Sequence, residues 1–368
     1  MNEQMNFNYI YPEFKITQPI RLIELFAGIG AQAKALERLG CEFEHYRVVE
    51  YDKFAIKSYN AIHGCDFNPV DITKIGGDDL GIVNTDKYCY IMTYSFPCQD
   101  LSLAGKQKGM SKGGNTRSGL LWEVERLINE LNELPQVLLM ENVTQIHSKK
   151  NNDDFIKWMM FLESKGYLNF YADMNSKNYG VPQNRNRTFM ISILGKYNYS
   201  FPASVELTQI MQDRLELTVD EKYILSEKGV NYISNPKRGS FIRINPKIGC
   251  TIMARTNSNW TGNFVTCHLA GELQGEKSEK TFEQSRRVYY TDALCPTIHT
   301  QQGGGRNIKI IEKERIRKLT PKECFRLMDF DDDDYEKCAL VNSDCQLYKQ
   351  AGNSIVVAVL EAIFKQML

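Results

Sequence analysis

Residues 20–40, IRLIELFAGIGAQAKALERLG, contain the pattern that decides the fold. Residues 20–26 are apolar and rich in strand-forming side chains, and the turn AGIG interrupts them. Residues 31–40 then carry Ala35, Leu36 and Leu39 at helical spacing, with Gly40 placed to end the helix. The stretch therefore predicts a strand, a glycine-rich turn and a helix, which together form the repeating unit of an α/β sheet.

The same alternation continues as far as residue 195. We predict further strands at 46–51, 88–96, 136–142, 167–175 and 187–194, and further helices at 53–64, 119–134 and 153–166. Strands that alternate with helices are typical of a parallel sheet covered on both faces. The predicted fold class is therefore α/β.

Beyond residue 195 the pattern changes to short β-rich runs separated by Asn, Gly and Pro. We interpret 196–316 as a smaller, irregular β-rich domain and 317–330 as a hinge segment. An apolar helix predicted over 352–368 should pack on the first domain, so that domain comprises 1–195 and 331–368. The aspartate-rich segment 329–334 is interpreted as a solvated turn.

Composition excludes several classes of protein. The 368 residues contain 45 Lys and Arg and 45 Asp and Glu, a balance that argues against binding nucleic acid by bulk positive charge but does not locate the charges. Neither an apolar run long enough to span a membrane nor a signal peptide is recognisable, so a cytoplasmic location is expected. The ten cysteines include no C-x-x-C pair, which argues against structural zinc and a disulfide framework. No metal is expected.

The glycine-rich turn has the form of a cofactor site. Gly28 and Gly30 fit the pattern G-x-G-x-x-A directly after a strand, and Glu50 ends the next strand. Glycine lets the backbone approach a ligand closely, and a carboxylate at a strand end can accept hydrogen bonds from ribose hydroxyls. Any adenosine cofactor can use this arrangement, so NAD and S-adenosylmethionine both stay open at this point. A tight turn with a solvated glutamate is the alternative without a ligand.

Three later segments bring reactive groups to the same edge of the sheet. Cys98 follows the third strand in Ser-Phe-Pro-Cys-Gln, Glu141 ends the next strand, and Arg185 and Arg187 lead into a later one. In an extended segment these two arginines point to the same face, because side chains repeat every two residues. Each group alone has an ordinary structural explanation. A thiol, a carboxylate and two guanidinium groups beside a cofactor turn indicate an active site.

These motifs resemble those of DNA cytosine-5 methyltransferases. The resemblance rests on LFAGIG, FPCQDLS, ENV, QNRNR, RKLTPKECFRLMDF and QAGNSIVVAVL, in the order and spacing of that family. It implies a Rossmann-like S-adenosylmethionine-dependent methyltransferase domain and a target recognition domain at 196–316. By this resemblance, Cys98 attacks C6 of cytosine, Glu141 contacts N3 and the exocyclic amine, and Arg187 contacts O2. Positive charge from Arg185 or Arg187 is expected to raise the thiolate fraction of Cys98.

The resemblance also assigns a cofactor pocket and a DNA-binding lid. The implied cofactor is S-adenosylmethionine, and the implied pocket residues are Phe26, Gly28, Gly30, Glu50, Tyr51, Asp71, Ile72, Pro97, Asn353 and Ser354. A stacked cytosine must leave the duplex to reach a thiol, so a mobile element should close over it. The glycine-rich segment 105–119 has no acidic residue and supplies four cations for this lid, Lys106, Lys108, Lys112 and Arg117.

The uneven distribution of charge supports a hypothesis about the substrate. Residues 220–320 hold seventeen Lys and Arg against ten Asp and Glu, as expected for a DNA-facing segment. We expect a monomeric, site-specific DNA (cytosine-5)-methyltransferase that acts on double-stranded DNA in restriction-modification or phage protection. A cognate restriction endonuclease would act on the same site without a stable complex. An RNA (tRNA) cytosine-5 methyltransferase and a catalytically silent DNA-binding regulator are the alternatives. A nicotinamide-dependent dehydrogenase would not account for FPCQ and ENV.

Two positions depart from the family pattern. Tyr94-Ser95 stands before FPC where small glycines are common, and Met328-Asp329 precedes Phe330 where Gly is frequent. Neither departure removes a reacting group, so activity is expected.

Overall fold

The described part of the chain forms one large sheet, a set of smaller sheets and nine helices. A computed structural model describes residues 11–101, 109–113, 116–233, 242–254, 256, 262–267, 288–290, 309–311 and 315–368. Within these ranges, no helix is long and apolar enough to cross a membrane.

The large sheet contains six strands in the order β2-β1-β3-β4-β7-β5. Its strands are β1 (Ile20–Leu25), β2 (Phe43–Val49), β3 (Cys89–Tyr94), β4 (Val137–Asn142), β5 (Tyr167–Asn175) and β7 (Asn186–Leu194). A two-residue strand, β6 (Gln183–Asn184), lies between the last two in the chain. Strands β2, β1, β3 and β4 run parallel to one another. The sequence therefore predicted every strand of this sheet to within a few residues.

One strand departs from the predicted parallel arrangement of the sheet. Strand β7 runs antiparallel to both of its neighbours, β4 and β5. Parallel neighbours need a long crossover connection, whereas only a short turn and β6 separate β5 from β7. The reversal brings the first residues of β7 to the edge where β4 ends, with Asn142 opposite Thr188 and Glu141 opposite Phe189.

Helices cover both faces of the sheet. The helices of the first half are α1 (Ala31–Arg38), α2 (Lys53–His63), α3 (Leu121–Glu130) and α4 (Asn152–Ser164). Those of the second half are α5 (Glu227–Ile233), α6 (Pro321–Leu327), α7 (Asp332–Val341), α8 (Asp344–Asn353) and α9 (Val357–Lys365). Apolar side chains of α1 and α9 share one core cluster, and those of α3 and α4 share the other. The carboxyl-terminal helix thus packs on the large domain, as the sequence predicted.

The region after residue 195 contains short strands, as expected. They are β8 (Ile242–Ile244), β9 (Gly249–Cys250), β10 (Gly262–Cys267), β11 (Val288–Tyr290), β12 (Lys309–Ile311) and β13 (Arg315–Lys318). Strands β13, β10 and β8 form a three-stranded sheet, and β11 pairs with β12. Strand β9 pairs with β6, which connects this region to the large sheet beside the arginine motif.

Two predictions for the last third of the chain were wrong. The helix predicted over 352–368 is divided, because α8 ends at Asn353 and α9 begins at Val357. The aspartate-rich segment is not a solvated turn, since Asp329 and Asp334 are buried and α7 begins within it. Asp329 has a φ of 65°, a left-handed conformation that glycine adopts without strain.

Candidate active site

The predicted reactive groups lie along the carboxyl edge of the parallel strands. Strand β1 lies between β2 and β3, so the chain reverses its direction of winding at the β1–β3 boundary. Ligands of open α/β sheets bind in the crevice that such a reversal leaves at the strand ends. The turn at Gly28 follows β1, and Cys98 follows β3, so the candidate cofactor turn and the candidate nucleophile flank this crevice.

Buried hydrogen bonds hold the loop that carries Cys98. The Asn142 side-chain amide donates to the carbonyl of Phe96 at 3.0 Å, and the Ser118 hydroxyl donates to the carbonyl of Pro97 at 2.7 Å. The backbone N–H of Arg117 donates to the Asp100 carboxylate at 2.8 Å. The thiol is therefore presented by a braced loop rather than by a freely moving one.

These bracing roles were not predictable from the local sequence pattern. Asn142 stands beside Glu141 in the ENV motif, and its position directly after a reactive residue was the one available signal. Ser118 lies twenty residues beyond Cys98 in a glycine-rich segment, and no local pattern distinguishes it from a solvent-exposed serine.

Glu141 is paired with Arg187. The Nε atom of Arg187 lies 3.2 Å from the Glu141 Oε1 atom, and both side chains are largely buried. The antiparallel direction of β7 produces this pair, because it places Arg187 beside the end of β4. Burial raises the pKa of Glu141, while Arg187 and Arg185 lower it. A carboxyl group with a raised pKa retains its proton more readily near neutral pH.

Arg185 is used differently from Arg187. Its guanidinium donates to the carbonyls of Ile252, Gly352 and Ser354 at 3.0, 3.1 and 2.6 Å. Burial, followed by repulsion from Arg187, lowers the pKa of Arg185, and Glu141 and Cys98 oppose that change. The two arginines are therefore close in space, but the Arg185 donors are directed at backbone carbonyls rather than at Glu141.

The charge environment of Cys98 differs from the sequence expectation. Burial raises the pKa of Cys98, and the neighbouring Glu141 raises it further. Arg187 and Arg185 lower the pKa, as predicted, but they do not outweigh the other two effects. The predicted effect of the two arginines is therefore present, while burial and Glu141 keep the pKa of Cys98 above its ordinary value. Protonation of Glu141 removes one of the two causes of the raised pKa.

Gly28 and Gly30 have different surroundings. Gly28 has a φ of 58°, and no described atom lies within 4 Å of the position that a Cβ would take there. At Gly30, by contrast, a Cβ would lie 2.2 Å from His63 Nε2. The backbone is thus open toward a ligand at Gly28, whereas Gly30 is required because α2 packs closely against the turn.

Glu50 supports the open side of this turn. Its carboxylate accepts the backbone N–H of Gly28 at 2.9 Å and that of Asp52 at 2.7 Å. The N–H of Val70 donates to the Glu50 carbonyl at 2.8 Å, which places Asp71 beside the end of β2. An open glycine backbone with two carboxylates beside the end of β2 fits an adenosine group that bears a ribose.

The other predicted pocket residues vary in exposure. Tyr51 is 77% exposed and Asn353 is exposed; Phe26, Asp71 and Pro97 are partly buried; Ile72 and Ser354 are buried. Phe26 has a φ of 57°, an uncommon conformation for a residue with a side chain. Tyr51 is therefore accessible for stacking on a ligand, whereas Ile72 belongs to the apolar core.

The predicted lid is described only in part. Lys106 and Lys108 lie outside the described residues. Lys112 pairs with Glu125 at 2.8 Å and lies over the Trp122 ring, and the Arg117 guanidinium donates to the Gln99 side chain. Lys112 must therefore leave Glu125 before it can bind a phosphate, while Arg117 already contacts the residue that follows Cys98.

Comparisons with known proteins find relatives along most of the chain. A family model of C-5 cytosine-specific DNA methylases matches residues 20–368. The type II methyltransferase M2.ScrFI of Lactococcus lactis subsp. cremoris is 30% identical, over 95% of this chain and 99% of its own. The orphan methyltransferase M.SssI of Spiroplasma monobiae is 31% identical, over 95% and 98%.

Solved structures agree on the fold. The Entamoeba histolytica methyltransferase EhMeth has a TM-score of 0.69 at 17% identity and covers 95% of this chain and 98% of its own. The Dnmt2 methyltransferase of S. pombe has a TM-score of 0.65 at 20% identity and covers 94% and 97%. At these identities the likeness concerns the α/β architecture alone.

Proposed function

The chain belongs to the C-5 cytosine-specific DNA methylase family, and from this premise we propose how its active site methylates DNA. Cys98 attacks C6 of a target cytosine as a thiolate and forms a covalent bond to the ring. The electron density displaced toward C5 makes that carbon nucleophilic. After C5 has gained the methyl group, a base removes the C5 proton, and the ring electrons expel Cys98 as thiolate. The observation that carries the proposal is the convergence of Cys98, Glu141 and Arg187 at one sheet edge.

Glu141 is proposed to supply a proton contact to N3 of the cytosine ring. Its raised pKa favours the protonated form, which relieves the negative charge that builds up on the ring as the thiolate adds. Arg187 holds Glu141 in place and, by resemblance to the family, contacts O2. Arg185 acts as a positioning residue, because both of its Nη groups donate to backbone carbonyls.

We propose S-adenosylmethionine as the methyl donor. When bound, it supplies a methyl group attached to a positively charged sulfur. Gly28 lets the donor approach the turn closely, Glu50 accepts hydrogen bonds from the ribose, and Asp71 binds the adenine amine. Tyr51 would lie beside the adenine, and Pro97 beside the methyl-bearing end of the donor. Asn353 and Ser354 would complete the pocket.

Access to the base requires a further step. The cytosine is proposed to rotate out of duplex DNA, since its C5 and C6 atoms cannot meet the thiol within the stack. The segment 105–119 then closes over the base, with Lys106, Lys108, Lys112 and Arg117 on the phosphates. Region 196–316 is proposed as the target recognition domain, with 317–330 as the hinge back to 331–368.

A labelling experiment tests the chemistry. The protein is incubated with tritiated S-adenosylmethionine and duplex DNA, and the label is located at C5 of cytosine. Cys98→Ser should abolish labelling, whereas Cys345→Ser, at an exposed cysteine remote in sequence, should leave it unchanged. Duplex DNA that contains 5-fluorocytosine should trap a covalent adduct only when Cys98 is present. Labelling that survives Cys98→Ser would exclude the covalent mechanism.

The substrate is proposed to be duplex DNA rather than RNA. The basic excess of residues 220–320 supports a DNA-facing surface, and two similar relatives are named as type II and orphan methyltransferases. Competition between duplex DNA and transfer RNA for the same enzyme distinguishes the two substrates. Preferential methylation of transfer RNA would support the RNA alternative.

The biological role is proposed to be protection of DNA by site-specific methylation, in a restriction-modification pair or a phage. We expect a cytoplasmic monomer that shares its target sequence with an endonuclease without binding it. Bisulfite sequencing of DNA from cells that express the protein should reveal one short methylated sequence. Methylation scattered without a common sequence would contradict site specificity.

A further inference from the structure

Three side chains that the reaction does not use converge behind the glycine-rich turn. They are Glu37 on α1, His45 on β2 and His63 at the end of α2. Glu37 Oε1 lies 2.6 Å from His63 Nδ1 and 3.7 Å from His45 Nε2. One potential ligand atom from each residue falls within 4.8 Å of the other two. They come from three elements and are separated in sequence, so no local motif marks them.

Both ring nitrogens of His63 face acceptors. Its Nε2 atom lies 3.3 Å from the carbonyl of Ile29, and its Nδ1 atom lies 2.6 Å from Glu37 Oε1. Two acceptors require a hydrogen on each nitrogen, or a cation in place of the hydrogen on Nδ1. The absence of a side chain at Gly30 makes room for this ring, since a Cβ there would collide with Nε2.

The contacts of His45 orient its ring in a similar way. Tyr59 donates its hydroxyl hydrogen to the buried Glu24 at 2.6 Å, so its oxygen can accept from His45 Nδ1 at 2.9 Å. The hydrogen is then on Nδ1, and the lone pair of Nε2 points toward Glu37. An outer carboxylate or hydroxyl that fixes a histidine ring is typical of metal-binding histidines.

His45 Nε2, Glu37 Oε1 and His63 Nδ1 therefore face one another. Without a proton on His63 Nδ1 their electron pairs would repel, and either that proton or a cation shared by all three atoms relieves the repulsion. Zinc bonds of about 2.0 Å at tetrahedral angles would place neighbouring ligand atoms roughly 3.3 Å apart. The two distances from Glu37 Oε1 would then change by roughly 0.7 and 0.4 Å, and the distance between the two imidazole nitrogens, which is within 4.8 Å, would change by up to about 1.5 Å. The His63 side chain is fully buried, but Glu37 is one-third exposed, so an ion can enter past Glu37.

We propose that Glu37, His45 and His63 form a binding site for a divalent transition-metal ion, with Zn²⁺ as the best fit and water in the fourth position. Two histidines and one carboxylate suit Zn²⁺ in ligand type and number. The metal bound at Nδ1 strengthens the hydrogen bond from His63 Nε2 to Ile29, so it braces the turn between Gly28 and Gly30. This role is structural and leaves the methyl-transfer chemistry without a metal.

Metal binding to the full-length protein tests the site. The protein is stripped with a chelator, dialysed, and titrated with Zn²⁺ by calorimetry and with Co²⁺ by visible absorption. We expect one ion per chain, a tetrahedral Co²⁺ spectrum, and no near-ultraviolet charge-transfer band of the kind that a thiolate ligand gives. Zn²⁺ should also raise the thermal unfolding midpoint, because a ligand of the native state stabilises it.

Variants separate this site from other histidines. Glu37→Gln keeps the size of a partly exposed side chain, and His45→Gln removes one nitrogen ligand; each should weaken Zn²⁺ binding by more than about tenfold. His147→Ala is the matched control, because His147 pairs with Asp173 alone among described carboxylates and should not alter the affinity.

Two results would overturn the proposal. Zn²⁺ affinity that is equal in the wild type and both ligand variants would place the ion elsewhere. Nitrogen-15 spectra that show His63 protonated on both ring nitrogens, with no change after one equivalent of Zn²⁺, would identify a His63–Glu37 ion pair in place of a metal site.

Discussion

Gly28 and Gly30 lie in one turn but are constrained by different neighbours. Gly28→Ala should cost about 1 kcal/mol of unfolding free energy, for left-handed strain alone, because no described atom meets its Cβ. Gly30→Ala should cost about 3 kcal/mol, because its Cβ would overlap the buried His63 ring. Chemical denaturation measures both free energies.

Gly28→Ala should weaken the binding of S-adenosylmethionine more than Gly30→Ala does, the reverse of their order in stability. Gly28→Ala places a methyl group where the donor is proposed to approach, so calorimetry should detect weakened binding in a protein that is still folded. Gly30→Ala should bind normally in the fraction that remains folded. Equal destabilisation by the two substitutions would show that both glycines serve packing.

The pH dependence of methylation should change in different ways in two variants of the active site. The reaction needs Cys98 ionised and Glu141 protonated, so kcat/KM rises with pH through one pKa and falls through the other. Arg187 lowers the pKa of both groups, so Arg187→Gln should shift the whole profile to higher pH.

Glu141→Gln should instead remove the fall in kcat/KM at high pH, because glutamine has no carboxyl proton to lose. Its rate should fall by about 10²- to 10⁴-fold, since the proton contact is lost. Rate measurements with DNA across the pH range test both variants. A falling limb that survives in Glu141→Gln would show that another group causes it.

At the scale of elements, the start of α7 depends on a buried carboxylate. Asp334 accepts the backbone N–H of Asp331 at 3.0 Å and pairs with Lys34 of α1 at 2.9 Å, with a side chain only 2% exposed. Asp334→Ala should therefore cost about 2 kcal/mol of unfolding free energy. Asp333 lies in the same turn, but its side chain is 75% exposed and pairs only with Lys337 among the described residues. Asp333→Ala should therefore cost under about 0.5 kcal/mol of unfolding free energy. Urea denaturation compares them, and equal losses would contradict the role of burial.

The elements that the sequence predicted well are those defined by local pattern. Strand β1 with its turn and α1 could be predicted because apolar periodicity and glycine act within a few residues. The direction of β7 could not be predicted, because an apolar run has the same pattern in either direction. The connection to the preceding strand determines the direction. Helix α7 was missed because its first turn is acidic. Its stability comes from Lys34, which is about three hundred residues away in the chain.

At the scale of the whole molecule, the same distinction applies to the site. Cys98, Glu141 and Arg187 were predictable because motifs at strand ends meet at one edge of a sheet. The separate use of Arg185 was not, because its partners at Ile252, Gly352 and Ser354 come from distant segments. The approach of these segments is close, since a Cβ at Gly352 would lie 2.1 Å from the backbone nitrogen of Ala254.

Arg185 should therefore contribute to stability more than to chemistry. Arg185 lies where the large sheet meets the segment before β10 and the link between α8 and α9. Arg185→Gln removes the charged donor of three carbonyls there. The loss should cost about 3 kcal/mol or more of unfolding free energy. Arg187→Gln is the matched control, because Arg187 is the less deeply buried of the two arginines. This variant should lose activity with a smaller loss of unfolding free energy. Thermal and urea unfolding, with methylation assayed below the midpoint, separate the two effects. Wild-type stability with abolished methylation in Arg185→Gln would instead make Arg185 a direct participant in the reaction.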